Sequence, residues 1–249
     1  MELAAIIPAR YASTRFPGKP LVPIRGISMI QRVYESVSRL ELLDQVVVAT
    51  DDERIYRHVR SFGGEAVMTS PDHQSGTERC AEALEKLREY PDIVLNVQGD
   101  EPFIDPEHLR QILGCFEDSD TQIATLIKRI ERPDELFNPN VPKVVCNERG
   151  LALYFSRSTI PYLRGPEPSE WLQTHAFYKH IGLYGYRGNV LQQIAQLPAG
   201  SLEQAEKLEQ LRWLQAGYLI RVAETQTENL AVDTPEDLER LLGSLPKEA

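Results

Sequence analysis

The sequence is poor in cysteine and lacks any long hydrophobic run. Its 249 residues include only Cys80, Cys115 and Cys146, which are odd in number and far apart. This spacing supports neither a disulfide framework nor the CxxC pairs of zinc and redox sites. The apolar run at residues 3–7 is too short for a signal-peptide core or a membrane span, and Pro8 ends it. We therefore expect a protein of the reducing cytoplasm.

An excess of positive charge is also missing. The formal net charge is −10 and the isoelectric point is about 5.1, so nucleic-acid phosphates would be repelled by most of the surface. This argues against a nucleic-acid partner. A few basic side chains gathered in one cleft can still attract a small anionic substrate.

Two glycine-rich fingerprints are absent as well. The chain has neither the GxxxxGK[ST] loop of P-loop NTPases nor the GxGxxG turn of dinucleotide-binding domains. An NAD oxidoreductase therefore loses its main support. The sequence also offers no His/Cys constellation for zinc.

Short aliphatic runs alternate with amphipathic patterns through the first half of the chain. The runs at residues 3–7, 46–49, 93–97, 123–127 and 143–145 predict buried strands. Apolar spacing within 27–37, 55–62 and 109–116 predicts helices, and a further helix is predicted from Ser201 through Leu214. This order predicts a mostly parallel sheet flanked by helices, with ligands beyond the carboxyl ends of its strands. No linker divides the chain, so we predict one domain over 1–249.

An aromatic and proline-rich stretch lies at residues 154–178. One interpretation is an excursion from the sheet that forms a dimer surface, and the predicted dimerisation segment is 150–187. The other is an ordinary packed β-hairpin. The residues leave both interpretations open.

A basic loop at residues 8–20 follows the first predicted strand. It contains Arg10, Arg15 and Lys19 together with Ser13 and Gly18. Cations, a hydroxyl and a flexible turn are what the phosphates of a nucleoside triphosphate require. The alternative is a solvated basic loop without a ligand.

Two carboxylates are candidates for a magnesium site. Asp100 follows the third predicted strand, and the neighbouring Gly99 permits close backbone approach. Mg²⁺ is often held by one or two carboxylates, with phosphates and water completing the octahedron. Asp233 is the second candidate, although Thr234 and Asp237 beside it also form a good helix start with no functional role.

Nine strings distributed along the chain carry a resemblance to a known family. They are IPARYASTR at 7–15, FPGKPL at 16–21, VATD at 48–51, HQSGTER at 73–79, NVQGDEP at 96–102, ALYFSR at 152–157, HIGLYGY at 180–186, LEQLR at 208–212 and VDTPEDL at 232–238. Together they resemble the 3-deoxy-manno-octulosonate cytidylyltransferase (CMP-KDO synthetase) family over essentially the whole chain. The resemblance implies an α/β nucleotide-diphospho-sugar-transferase-like fold, a homodimer, and joining of CMP from CTP to an eight-carbon acidic sugar for lipopolysaccharide inner-core synthesis.

The resemblance also implies roles for individual residues. The residues expected to bind CTP are Pro8, Ala9, Arg10, Arg15, Lys19, Ser75, Arg79 and Gln98. Those expected to bind the sugar are Gln98, His180, Tyr184, Glu209 and Gln210. Asp100 and Asp233 are expected to hold Mg²⁺, and Arg10, Lys19 and Asp100 are expected to act in catalysis. The chain departs from the family's Gly-x-x-Val-Asp pattern, because residues 228–232 contain no glycine. No general base is evident, although His180 is available by residue type.

Two rival functions remain open at this point. A related nucleotidyltransferase would use the same core on an amino analogue of the octulosonate or on a sialic acid. A non-catalytic nucleotide-sugar sensor could retain the fold without the activity.

Overall fold

A computed structural model describes residues 1–13 and 16–244. The chain divides into two compact units, one formed by Met1–Pro106 with Asn229–Ala249 and the other by Glu107–Glu228. The single domain and the dimerisation segment stay predictions. Within the described ranges, no helix is both long enough and apolar enough to span a membrane.

All five predicted strand runs form strands. The strands are β1 Leu3–Ala9, β2 Pro23–Ile24, β3 Ile27–Ser28, β4 Gln45–Thr50, β5 Ala66–Met68, β6 Ile93–Asn96, β7 Ile123–Arg129, β8 Lys143–Cys146, β9 Ala152–Ser156, β10 Tyr178–Arg187 and β11 Ile220–Thr225. The α-helices are α1 Met29–Ser38, α2 Glu53–Ser61, α3 Gly76–Leu84, α4 Pro106–Gly114, α5 Pro133–Leu136, α6 Trp171–Thr174, α7 Gly188–Ala195, α8 Ser201–Glu206, α9 Gln210–Gln215 and α10 Pro235–Ser244. Short 3₁₀ helices cover Lys19–Leu21, Cys115–Glu117 and Pro168–Glu170.

The first unit contains a parallel sheet with β1 near its centre. β1 pairs with β6 on one side and β4 on the other, and β5 continues the sheet beyond β4. Ala4 to Ile7 in β1 are fully buried or nearly so, as are the apolar residues of α1. The predicted α/β fold class, with a mostly parallel sheet flanked by helices, is confirmed.

The first helix begins later than its periodicity indicates. Ile27 belongs to β3, and α1 begins at Met29. Ser28 caps the helix, because its Oγ accepts a hydrogen bond from the backbone N–H of Gln31 at 3.3 Å. The prediction that the helix includes Ile27 was therefore wrong, because a short strand precedes the helix.

Two glycines shape the strand ends of the first unit. A Cβ at Gly99 would lie 2.9 Å from the carbonyl oxygen of Pro8, so only glycine permits this approach of the two segments. Gly18 has a φ of 73°, a left-handed conformation that a glycine adopts without strain. It introduces the 3₁₀ turn that begins at Lys19.

The second unit is built on a mixed sheet. β7 pairs antiparallel with β10 and parallel with β11, while β8 pairs antiparallel with both β9 and β10. The aromatic stretch at 154–178 does not form the hairpin that was one alternative. After β9 it contains two short helical turns, and Trp171 stacks on Phe177 with ring centroids 6.0 Å apart.

The helix predicted from Ser201 through Leu214 is interrupted. It forms as α8 and α9, separated by Lys207 with a φ of 54°. Arg157 holds this break, because its Nε donates to the carbonyl oxygen of Glu206 at 2.6 Å. The interruption places Glu209 and Gln210 at the start of α9 instead of inside a continuous helix.

Lys143 is fully buried beside this break, and its ammonium is surrounded by backbone carbonyls. Its Nζ donates to the oxygens of Asn138, Val141 and Arg157 at 2.7–2.8 Å. Burial lowers the pKa of Lys143, and nearby Glu206 opposes that shift. The side chain thus joins the 138–141 loop to the residue that follows β9 through one group.

Replacing Lys143 with methionine should lower the free energy of unfolding by about 3 kcal/mol, because three buried carbonyls lose their donor. Urea unfolding followed by circular dichroism measures this. Lys207→Met, at an exposed side chain, should change the value by less than about 0.5 kcal/mol. Equal effects of the two substitutions would contradict a structural role for the buried ammonium.

Candidate functional site

A cavity of about 240 Å³ lies in the first unit, where β1 and β6 end. Its walls are the end of β1, the basic loop, the segment before α3 and the segment after β6. The lining residues are Pro8, Ala9, Arg10, Ser13, Lys19, Pro20, His73, Gln74, Ser75, Gly76, Arg79, Gln98, Gly99, Asp100 and Asp233. The cavity brings together the predicted nucleotide and metal residues of this unit, except Arg15, which lies outside the described residues.

Lys19 bridges the two candidate metal carboxylates. Its Nζ lies 2.7 Å from Oδ2 of Asp100 and 3.3 Å from Oδ1 of Asp233. The three side chains are partly buried, so their charges are less screened by solvent than an exposed pair would be. Asp100 and Asp233 lie 81 and 214 positions after Lys19 in the sequence, and folding brings the three into one charged group.

Asp233 is both part of a helix start and a member of this group. The backbone N–H of Val232 donates to the carbonyl oxygen of Asp100 at 2.9 Å, which ties the two segments together. Thr234 Oγ1 accepts from the N–H of Asp237 at 3.2 Å, and Asp237 Oδ2 accepts from the N–H of Thr234 at 2.9 Å. The predicted cap is real, and it leaves the Asp233 carboxylate directed at Lys19.

Asn229 stands where the family pattern has glycine, and its side chain makes two hydrogen bonds. Nδ2 donates to Oε2 of Glu101 at 2.7 Å, and Oδ1 accepts from the N–H of Asp105 at 3.0 Å. The departure from the pattern thus adds a link between the segment after β6 and the segment that leads to Asp233. Sequence reasoning missed this role for Asn229.

Arg79 and Ser75 occupy the α3 side of the cavity. Arg79 is almost fully buried, with Nη1 donating to Thr69 Oγ1 at 2.5 Å and Nη2 3.3 Å from Asp51 Oδ2. Ser75 caps α3, and its Oγ accepts from the N–H of Glu78 at 3.1 Å. Asp51 is the last residue of the VATD string, so the motif supplies the carboxylate that orients Arg79.

His73 also lines the cavity, although it was not among the predicted site residues. Its Nε2 lies 2.5 Å from Oε2 of Glu82, and its Nδ1 lies 3.8 Å from Oε2 of Glu78. Burial alone would raise the pKa of Glu82, but hydrogen bonds from Lys86, the Ser70 N–H and His73 outweigh it and lower the pKa to about 2. Glu82 therefore remains ionised beside His73 at neutral pH. The HQSGTER string was the signal that could have identified His73.

The two carboxylates suit a magnesium ion. The described ranges contain no group of three or more His, Cys, Asp or Glu side chains arranged for a metal. Mg²⁺ needs only one or two protein carboxylates when phosphates and water supply its other ligands. Because one ammonium already contacts both Asp100 and Asp233, the spacing lets a single cation reach both.

The predicted sugar-facing residues of the second unit form their own cluster. The rings of His180 and Tyr184 have centroids 5.3 Å apart, and Tyr184 lies 5.1 Å from Trp213. Burial lowers the pKa of His180 to about 3, so the ring is neutral at physiological pH. Burial and the charge of Glu209 raise the pKa of Tyr184 well above its ordinary value.

Several buried polar atoms in this cluster make no hydrogen bond of standard geometry to a described residue. They are the hydroxyl of Tyr184, Nε2 of Gln210 and Nε1 of Trp213. Buried polar groups are almost always paired, so each such atom calls for an explanation, and a polar ligand supplies one. Sequence reasoning identified Tyr184 and Gln210 but missed Trp213, which looks like an ordinary core residue in the sequence.

Comparison with known proteins gives full-length matches. Residues 4–225 match the family described as Cytidylyltransferase. The chain is 57% identical over 249 residues to 3-deoxy-manno-octulosonate cytidylyltransferase from Parabacteroides distasonis, covering 98% of both chains. It is 55% identical over 242 residues to the Cytophaga hutchinsonii protein of the same name, covering 97% of this chain and 96% of that protein.

A solved structure gives the same result. CMP:2-keto-3-deoxy-manno-octonic acid synthetase complexed with CTP superposes with a TM-score of 0.90 at 44% identity, covering 98% of each chain. Identity at this level over the whole length shows the family as well as the fold. This chain belongs to the 3-deoxy-manno-octulosonate cytidylyltransferase family.

Proposed function

We propose that this protein transfers the cytidylyl group of CTP to the anomeric hydroxyl of 3-deoxy-manno-octulosonate, giving CMP-3-deoxy-manno-octulosonate and pyrophosphate. The product is the activated sugar for lipopolysaccharide inner-core synthesis. The single observation that carries the proposal is the group of Lys19, Asp100 and Asp233 in a cavity at the strand ends.

The cavity offers what a nucleoside triphosphate needs. Arg10 and Lys19 supply positive charge, and Ser75 and Arg79 supply further polar groups to the lining. Arg79 is held rigidly by Asp51 and Thr69, so its guanidinium is positioned before a ligand arrives. We assign the CTP phosphates to the Arg10 and Lys19 side, with Pro8, Ala9 and Gln98 completing the nucleotide wall.

The chemistry follows from charge placement. The anomeric oxygen attacks the α-phosphorus in line, a P–O bond forms, the bond to pyrophosphate breaks, and the hydroxyl proton is released to solvent. Negative charge grows on the phosphate oxygens and on the leaving group, and Arg10 and Lys19 stabilise it in a partly desolvated site. Mg²⁺ held by Asp100 and Asp233 would polarise the α-phosphate and offset the same charge.

The second unit supplies polar groups suited to a sugar. Gln210 Nε2, Trp213 Nε1 and the Tyr184 hydroxyl are buried donors without standard hydrogen bonds to described residues. Donors of this kind suit the hydroxyl and carboxylate oxygens of an acidic sugar. We assign Glu209 as an acceptor and His180 as a neutral partner for sugar hydroxyls.

The experiment is magnesium-dependent pyrophosphate release from CTP with three sugars: 3-deoxy-manno-octulosonate, its 8-amino analogue and a sialic acid. Release with the parent sugar, abolished by EDTA and restored by Mg²⁺, is the expected result. Preference for another sugar would retain the chemistry and change the substrate. Tight CTP binding with no release for any sugar would overturn the proposal and favour a nucleotide-sugar sensor.

We also propose a homodimer formed through residues 150–187 and a cytoplasmic location. Within that segment Leu153 and Tyr162 are 59% and 77% exposed, so the segment offers apolar area that a partner would cover. Cys80, Cys115 and Cys146 are free thiols, as expected in a reducing compartment. Sedimentation velocity tests the dimer, and Tyr162→Asp should shift it towards monomer.

A further inference from the structure

Thr125 lies beneath His180 and is fully buried in β7. Its Oγ1 is 3.0 Å from Nε2 of His180, 3.1 Å from the carbonyl oxygen of Ile181 and 2.8 Å from that of Leu183. One hydroxyl group therefore contacts three polar atoms of β10. No role for Thr125 emerges from the sequence motifs.

An irregularity in the β7–β10 ladder creates this arrangement. Ile181 pairs with Leu126 and Tyr184 pairs with Thr125, so two residues of β10 lie between consecutive pairs. A bulge of this kind interrupts the ladder and redirects nearby side chains. The Thr125 hydroxyl reaches the carbonyl of Ile181, just before the irregularity, and that of Leu183 within it.

The hydrogen count decides which nitrogen of His180 carries the proton. A threonine hydroxyl has one hydrogen to donate, and a carbonyl oxygen can only accept. The Tyr184 hydroxyl also lies near Thr125 but makes no hydrogen bond of standard geometry. The hydrogen of Thr125 is therefore taken by a carbonyl, with Leu183 the shorter contact, and Oγ1 presents a lone pair to His180. Nε2 must then be the donor, because an unprotonated Nε2 would face an oxygen that has no hydrogen left for it.

The other ring nitrogen is left as an acceptor. The ring is neutral because burial lowers the pKa of His180, so it carries one proton only. Nδ1 makes no hydrogen bond to a described residue, and His180 is only partly buried, which leaves this nitrogen able to accept from a ligand. Phe155 and Tyr184 pack against the ring and restrict its rotation.

We propose that Thr125 is a positioning residue that fixes His180 as the neutral Nε2–H tautomer, so that Nδ1 accepts a hydrogen bond from a hydroxyl group of the sugar. The tautomer is a property of the free protein. Only the identity of the hydroxyl donor rests on the function proposed above.

The tautomer is measured directly by long-range ¹H–¹⁵N correlation of protein labelled in its five histidines. His180→Gln identifies the resonances of His180 by their disappearance. The expected spectrum of the free wild-type protein shows a protonated Nε2 and an unprotonated Nδ1. A protonated Nδ1 in that spectrum would overturn the proposal whether or not any variant folds.

Thr125→Val and Thr125→Ser form the matched pair. Valine keeps the shape and removes the oxygen, so the proton is expected to move to Nδ1, whereas serine keeps the hydroxyl and the wild-type tautomer. The valine variant should lose about fivefold to tenfold in kcat/KM for the sugar with KM for CTP unchanged, and serine should restore it.

The outcomes separate the two proposals. An unchanged tautomer in Thr125→Val, or an altered tautomer with wild-type kcat/KM for the sugar, would show that Thr125 does not position His180 for the ligand. Wild-type protein that is inactive with every sugar would overturn the proposed function and the sugar assignment with it, while the histidine spectrum would still decide the tautomer.

Discussion

Replacing Asp100 with asparagine should lower the rate of pyrophosphate release about 100-fold to 1,000-fold and leave the fold intact. The substitution keeps the shape of the side chain and removes the charge that lies 2.7 Å from Lys19. The backbone of Asp100 still accepts from the N–H of Val232, so the local structure keeps its main tie. We expect the thermal midpoint to stay within about 3 °C of wild type.

The measurement is turnover at saturating CTP, sugar and Mg²⁺, with the thermal midpoint recorded on the same samples. Asp134→Asn is the matched control, because Asp134 is 73% exposed and its Oδ2 lies 3.6 Å from Nη2 of Arg132 in a solvent-screened surface pair. It should leave turnover within about twofold of wild type. Wild-type turnover in Asp100→Asn would remove Asp100 from the chemistry, and a large loss of stability would assign it a structural role instead.

Replacing Lys19 with methionine should lower turnover about 100-fold, for a different reason. Methionine keeps most of the length and apolar volume of the side chain but removes the only cation seen to contact both Asp100 and Asp233 in the described residues. The phosphates then lose one of the positive charges that stabilise the growing negative charge in the transition state.

Lys19→Met also makes a prediction about metal binding that does not depend on activity. Two carboxylates without their shared ammonium repel one another, so the thermal midpoint should fall by a few degrees in EDTA, on the order of 1 kcal/mol of stability. Mg²⁺ should then raise the midpoint more in the variant than in wild type, because it no longer competes with the ammonium.

Arg57→Met is the control for Lys19→Met. Arg57 is 78% exposed and pairs with Glu53 on the surface of α2, so its loss should affect neither turnover nor the response to Mg²⁺. A midpoint of Lys19→Met that collapses and does not respond to Mg²⁺ would indicate a purely structural ion pair. Turnover equal to wild type would remove Lys19 from the catalytic group.

The strands and the placement of the first-unit site could be predicted from the sequence for a simple physical reason. Strands buried on both faces read as continuous aliphatic runs, and the carboxyl ends of neighbouring parallel strands meet at one edge. Lys19 and Asp100 follow two such strands, β1 and β6, which pair directly. The motifs added the residue roles, since neither periodicity nor composition distinguishes CTP from another phosphate ligand.

The interruption between α8 and α9 shows where local pattern fails. The apolar spacing and the favourable residues from Ser201 onward are those of one continuous helix, and nothing local marks a break. Arg157, about 50 positions earlier, donates to the carbonyl of Glu206 and accompanies the left-handed conformation of Lys207. A long-range hydrogen bond competes with helix propensity here, and propensity is worth only a fraction of a kcal/mol per residue.

By itself, the sequence determined the α/β class, the buried strands, the charged residues at the strand ends and the family. Only the tertiary structure decided which polar atoms meet: Lys19 with both carboxylates, Asn229 with the segment after β6, and Thr125 with His180. The periodicity of apolar residues indicates which face of a helix or strand is buried, and this depends only on residues close together in the sequence. Hydrogen bonds and ion pairs between residues far apart in the chain depend on distances that exist only after folding, and the chemistry of the site depends on those distances.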